Sequence, residues 1–110
     1  MLIEKKEDII VLKCDETRVS DFFIVFKEKY SNFEGANVII DFSGLEGVNT
    51  ENISLFLEFS EKHRNDGTSF VVVVNRIDFN SLPEEIVIVP TLQEAKDIIE
   101  MEKIERDLGF

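Results

Sequence analysis

The sequence predicts one α/β domain over residues 1–110, built on a mixed, mostly parallel sheet of about five strands with three main helices. Three observations predict it. Hydrophobic periodicity alternates between strand-like and helix-like, giving the order β-β-α-β-α-β-β-α with short connections. The runs Val38-Ile39-Ile40-Asp41-Phe42 and Phe70-Val71-Val72-Val73-Val74 are nearly continuous in apolar residues, as strands covered on both faces are. Finally, 110 residues with 44% hydrophobic content and ten phenylalanines suffice for one core without disulfides or metal.

The elements follow in order. Residues 3–6 and 9–13 are β-prone runs around Glu7-Asp8 and read as a hairpin, the second run being the more hydrophobic. From Thr17 the period changes. Val19, Phe22, Phe23, Phe26 and Tyr30 form one face of an amphipathic helix, with Thr17 or Ser20 as its cap and Gly35 shortly beyond its end. The strand at 38–42 is followed by the loop Ser43-Gly44-Leu45-Glu46-Gly47-Val48. A helix is expected over 51–64, with Ile53, Phe56, Leu57 and Ser60 inward and Asn65-Asp66-Gly67 as its stop. Residues 70–74 form the strongest central strand, 75–85 an irregular stretch containing Pro83, and 86–89 a last short strand closed by Pro90. Thr91-Leu92-Gln93-Glu94 has capping-box form. The helix it opens buries Leu92, Ala95, Ile98 and Ile99, and a continuation through Met101, Ile104 and Leu108 ends at Gly109. No repeat, low-complexity segment or linker interrupts the chain.

Charge and composition narrow the function. A net charge of −11, from 23 acidic against 12 basic residues, repels phosphate backbones and anionic headgroups. Nucleic-acid and membrane partners are therefore not expected, and a basic or amphipathic protein surface fits better. The densest basic groupings, Lys27 with Lys29 and Lys62 with Arg64, are interleaved with glutamates and read as solvated helix faces. The longest apolar runs are too short for a bilayer, the start has no signal-peptide core, and the single Cys14 suits a reducing compartment. A cytoplasmic location is expected.

Parts for catalysis are few. The one histidine, His63, lies between Lys62 and Arg64 and reads as exposed helix surface; Cys14 reads as a space-filling strand residue. Zinc sites want several His and Cys ligands. A two-metal hydrolase such as ribonuclease Z needs several histidines, so that label would not fit this chain. Glu84, Glu85, Glu94, Asp97 and Glu100 read as a solvated face and not as a cation site. Asp41, near the end of a buried strand, reads as a structural residue of the following turn. No catalytic role, cofactor or metal is expected.

The order of elements and four local motifs together resemble the STAS family of anti-sigma-factor antagonists, most clearly from Val38 to Glu100. Val38-Ile39-Ile40-Asp41-Phe42-Ser43-Gly44-Leu45 is similar to the family's strand followed by Asp-Leu-Ser, a small and a hydrophobic residue. Asn49-Thr50-Glu51-Asn52-Ile53 stands where the family has Asp-Ser-Ser-Gly-Leu at a helix start. Asp66-Gly67 before residues 70–74 echoes its Gly-Gly and buried strand. Val89-Pro90-Thr91-Leu92-Gln93-Glu94-Ala95 resembles its Val-Pro-Thr-Leu-Glu-Glu-Ala.

The resemblance implies a protein-binding regulatory module that engages an anti-sigma kinase or another signalling protein and works by partner switching. In the family, phosphorylation of the motif's second serine breaks that complex; the added charge of about −1.5 to −2 changes what the surface binds. Here that serine corresponds to Glu51, the preceding serine to Thr50 and the motif glycine to Asn52. Glu51 acts as a fixed imitation of the phosphate, or Thr50 has taken over as acceptor, or Thr50 or Asn49 is only the helix cap and Glu51 only a carboxylate favoured at its positive end. In the last case the chain is a degenerate STAS-fold scaffold or subunit. Leu55 and Phe59 flank the core stripe beside this motif, and Ile24 and Val25 are similarly surplus on the first helix. Phe59 is either an exposed anchor or core beneath the adjacent loop. Residues 101–110, expected to project past the domain, are a second candidate contact, including for self-association.

Overall fold

The computed structural model describes residues 1–77 and 79–109. Asp78, in the irregular stretch, and Phe110, at the end of the predicted projecting segment, lie outside them. Strands β1 (Leu2–Lys6) and β2 (Ile9–Lys13) pair antiparallel, Lys6 opposite Ile9. Their two-residue connection places Glu7 at φ 57, the positive region such hairpin turns demand. There follow α1 (Val19–Lys29), β3 (Asn37–Asp41), α2 (Thr50–Ser54), α3 (Leu57–Asn65), β4 (Phe70–Val73), β5 (Val87–Val89) and α4 (Leu92–Asp107). The sheet order is β1-β2-β3-β4-β5, and all pairings after the hairpin are parallel.

Alternation along the strands decides what each face buries. Leu12, Val38, Ile40, Phe70 and Val72 point toward α1, α2 and α3, where they meet Phe22, Phe26, Ile53 and Phe56. Val11, Ile39, Val71 and Val73 point the other way, onto Ala95 and Ile99 of α4. Both faces of the central strands are thus covered, which is why their sequences run apolar almost throughout. The first layer is aromatic. Phe26 stacks with or meets edge-on Phe22, Phe23, Phe33, Phe56, Phe59 and Phe70, the closest centroid lying 5.0 Å away, at Phe59.

Several expectations need correction. The N-cap of α1 is Arg18, with no side-chain cap bond, and neither Thr17 nor Ser20 fills that role. The helix predicted over 51–64 is two helices. Ser54 Oγ donates to the Thr50 carbonyl at 2.9 Å, a back-bond that bends helices. The amides of Leu55 and Phe56 then bond three residues back, to Asn52 and Ile53, tightening the turn between α2 and α3. His63 is not helix surface: it is 1% exposed. Three residues after Ser60 and seven after Phe56, it continues the inward stripe of α3. Its Nδ1 lies 2.9 Å from the Ala36 carbonyl and 3.0 Å from Thr68 Oγ1. Its ring meets Phe70 at 5.2 Å between centroids.

The C-terminal part of α4 does not project. Lys103 pairs with Asp8 at 3.0 Å, and Arg106 donates to Ser69 Oγ at 3.1 Å, tying the helix to the body of the domain. Thr91 caps α4 by accepting from the Glu94 amide at 3.1 Å, and Gly109 follows the helix at φ 81. Lys62 pairs with Glu34 at 2.8 Å, in keeping with a solvated helix face. No helix among the described residues is long and apolar enough to cross a membrane.

Two outcomes follow from this core. Phe26→Ala is expected to cost about 3–5 kcal/mol in urea unfolding, because a fully buried ring is replaced by a cavity. Burial holds the His63 pKa below its ordinary 6.5. The folded protein then keeps the ring neutral while the unfolded chain takes up a proton. The stability at stake is intact above pH 6.5 and is lost as the pH falls from there through the folded-state value. Between about pH 7.5 and 5.5 the urea midpoint of the native protein should therefore fall relative to that of His63→Gln, which carries no such titration.

Candidate functional site at the start of the second helix

The site begins where β3 ends. Asp41, 6% exposed, accepts a hydrogen bond from the Ser43 amide on Oδ1 at 2.9 Å. This places its carboxylate in the turn that leaves the strand, the structural role expected of it. The Leu45 amide bonds the Phe42 carbonyl at 3.0 Å, and Asn75 Nδ2 donates to the Ser43 carbonyl at 3.1 Å. Gly47 turns the loop back at φ 75, a conformation that favours glycine. Val48, buried, then anchors it on the core.

The helix start is closed by a reciprocal cap. Asn49 Oδ1 accepts from the Asn52 amide at 2.9 Å, and the Asn49 amide donates to Asn52 Oδ1 at 3.0 Å. Two otherwise orphaned amides are satisfied, one by each asparagine. Asn49 is therefore the cap, and Thr50 is the first helical residue. The Thr50 hydroxyl lies 3.1 Å from Ser81 Oγ and donates toward the Ser81 carbonyl at 3.4 Å. Glu51 is exposed in the first turn, where the partial positive charge of the helix start favours a carboxylate.

Around this start lie two cavities. One of about 220 Å³ is bounded by Thr17 and Arg18 before α1, by Leu45–Val48 of the loop, and by Asn52. The other, about 430 Å³, lies between Ser43–Gly47 and Asn75-Arg76. Leu55 is 38% exposed on the outer side of the turn after α2. Phe59 is half-buried, its ring 4.8 Å from Tyr30 and 6.0 Å from Phe23 between centroids. Phe59 thus packs against the core while keeping part of its ring exposed, and Leu55 is the more exposed apolar group.

The remaining reactive groups lie elsewhere. The Cys14 thiol is buried and pushed up to about 11, chiefly by desolvation, so it is neutral near pH 7. His63 lies in the core. Among the described residues, no group of three or more His, Cys, Asp or Glu could hold a metal ion.

No family model matches the chain, and no curated protein sequence matches it. A solved structure of Moorella thermoacetica RsbS carrying a serine-to-glutamate substitution does match in fold. It has a TM-score of 0.67 and 22% identity, and the match covers 96% of this chain and 97% of that one. RsbS is a STAS-domain protein. The fold is the STAS fold. In this domain of STAS fold the residues that resemble the family's serine motif, Asn49 to Ile53, open α2 at the end of the loop fixed by Asp41 and Val48.

Sequence reasoning missed Ser81 as the neighbour of Thr50 and Arg18 and Arg76 as flanking cations. Thr50 and Ser81 are 31 residues apart, and no local pattern connects them. Asn49→Ala should lose the cap and lower stability by about 1 kcal/mol in chemical denaturation, while Asn49→Ser should recover most of it.

Proposed function

We propose that this STAS domain is a non-catalytic, cytoplasmic regulatory module of the anti-sigma-factor-antagonist type. Its partner is an anti-sigma kinase or a similar signalling protein, bound at the surface made by Asn49, Thr50, Glu51, Asn52 and Leu55. The observation that carries this reading is the whole-length likeness to RsbS. The exposure of Glu51 and Leu55 beside the Asn49–Asn52 cap supports the choice of surface.

Glu51 gives this surface a fixed negative charge at the position resembling the family's phosphorylated serine. A carboxylate carries one charge, where a phosphate carries about −1.5 to −2 and offers three strong acceptor oxygens. The module is then held in one binding state. The alternative is a STAS-fold scaffold or subunit without phosphorylation switching. The engagement of the Thr50 hydroxyl with Ser81 favours it, because that contact would have to break before Thr50 accepted phosphate.

A native pull-down from the source cell, with mass spectrometry of the bound proteins and of the Thr50 peptide, separates the two. A kinase-type partner is expected. With the purified pair, Glu51→Gln and Leu55→Ser should each weaken binding about tenfold or more by calorimetry, as losses of about 1.4 kcal/mol at a contact surface do. Unaltered binding in both variants, and in Thr50→Ala, would sink the assignment of this surface.

A further inference from the structure

Helix α4 presents two apolar faces. The inner one, with Ala95 and Ile99, packs on β3, β4 and β5. The outer one consists of Met101, Ile104 and Leu108, which are 55%, 57% and 65% exposed. At about 100° per residue these three fall within an arc of about 60°, on the side of the helix roughly opposite Ala95 and Ile99. They are among the most exposed large apolar residues of the chain and form a continuous stripe at helical spacing, not scattered single residues.

The charges around the stripe are sorted by sign. Glu94, Asp97, Glu100 and Glu105 border it and are exposed. The cations of the helix turn toward the body of the domain. Lys96 is half-buried; Lys103 pairs with Asp8 at 3.0 Å and also with Glu100 of the rim at 3.4 Å, and Arg106 donates to Ser69 Oγ at 3.1 Å. An apolar seam rimmed by carboxylates, on a protein of net charge −11, matches a helix whose apolar stripe is rimmed by Lys or Arg. It does not match itself. Two copies of α4 laid together would face carboxylates with carboxylates.

We infer that the outer face of α4 is a docking surface for a basic amphipathic helix of another protein, separate from the surface around Thr50. Its apolar anchor is Met101, Ile104 and Leu108, and its acidic rim steers the partner and fixes its orientation.

The test uses the full chain and two synthetic peptides of about 18 residues. One has leucines at i, i+3, i+4 spacing with lysines elsewhere, and the other has glutamines in place of the lysines. Fluorescence anisotropy reads their binding. The lysine peptide should bind, more weakly as salt rises, and the glutamine peptide at least tenfold more weakly. Ile104→Gln, which keeps every charge, should weaken the lysine peptide about tenfold, and the double variant Asp97→Asn, Glu105→Gln by a similar factor. Ile24→Gln removes an apolar group that is 53% exposed on α1, and should leave binding unchanged. Equal binding by Ile104→Gln and the native chain would overturn the proposal, because attraction to a generally acidic surface would then suffice. An equal loss in Ile24→Gln would overturn it too. So would sedimentation equilibrium showing a dimer that Ile104→Gln converts to a monomer, which would make a second copy the occupant.

Discussion

The rest of the structure depends on one aromatic contact set, centred on Phe26. Its ring touches rings from α1 itself, from the α2–α3 turn, from α3 and from β4. Edge-to-face and offset contacts of this kind contribute about 0.5–1.5 kcal/mol each beyond the area they bury. They also constrain orientation, since a ring edge aimed at a neighbouring face tolerates little rotation. The position of Phe56 follows from this set, and the position of α2 follows from Phe56, which ends the turn after it. The Asn49–Asn52 cap therefore stands where it does because a phenylalanine on another helix holds the far end of its turn.

The two faces of the sheet differ in kind. The face under α1, α2 and α3 is aromatic, and the buried His63 at its edge meets the Ala36 carbonyl through Nδ1. The face under α4 is aliphatic, with Ala95 allowing close approach of helix to sheet. Around this second layer the ion pairs lie at the edges, as between Lys103 and Asp8. Such exposed pairs contribute about 0–1 kcal/mol, so α4 is held mainly by its inner apolar stripe.

Much of the fold was legible because the strongest patterns were also the most buried. The runs at 38–42 and 70–74 became β3 and β4 within a residue at each end, since two-sided burial leaves few polar residues to confuse the reading. Thr91 capped α4 as its spacing implied. The break between α2 and α3 was not legible. It arises from a serine hydroxyl bonding its own helix and from two shortened backbone bonds, neither of which alters the hydrophobic period. His63 was misread because its neighbours Lys62 and Arg64 are charged. On a helix the neighbours that share a face are three, four and seven residues away, and Ser60 and Phe56 were the informative ones. At the candidate site, residue type left both Asn49 and Thr50 open as the cap, and the reciprocal bonds with Asn52 decide for Asn49; the seating of Thr50 against Ser81 is a tertiary fact.

Helix α2 is five residues long. Isolated helices shorter than about 12 residues are marginal in water, so α2 has almost no helical stability of its own. What holds it is the asparagine pair at one end, the Phe56 ring at the other and Ile53 beneath. The sheet makes none of its backbone bonds through these residues. Opening α2 is thus a local event, whose free energy is set by two asparagine bonds, the contact of the Thr50 hydroxyl with Ser81 and the seating of a short apolar segment, and not by the stability of the whole domain. The surface at Thr50 and Glu51 can melt and re-form while β3 and β4 remain paired beneath it, and amide exchange confined to that turn would be its signature.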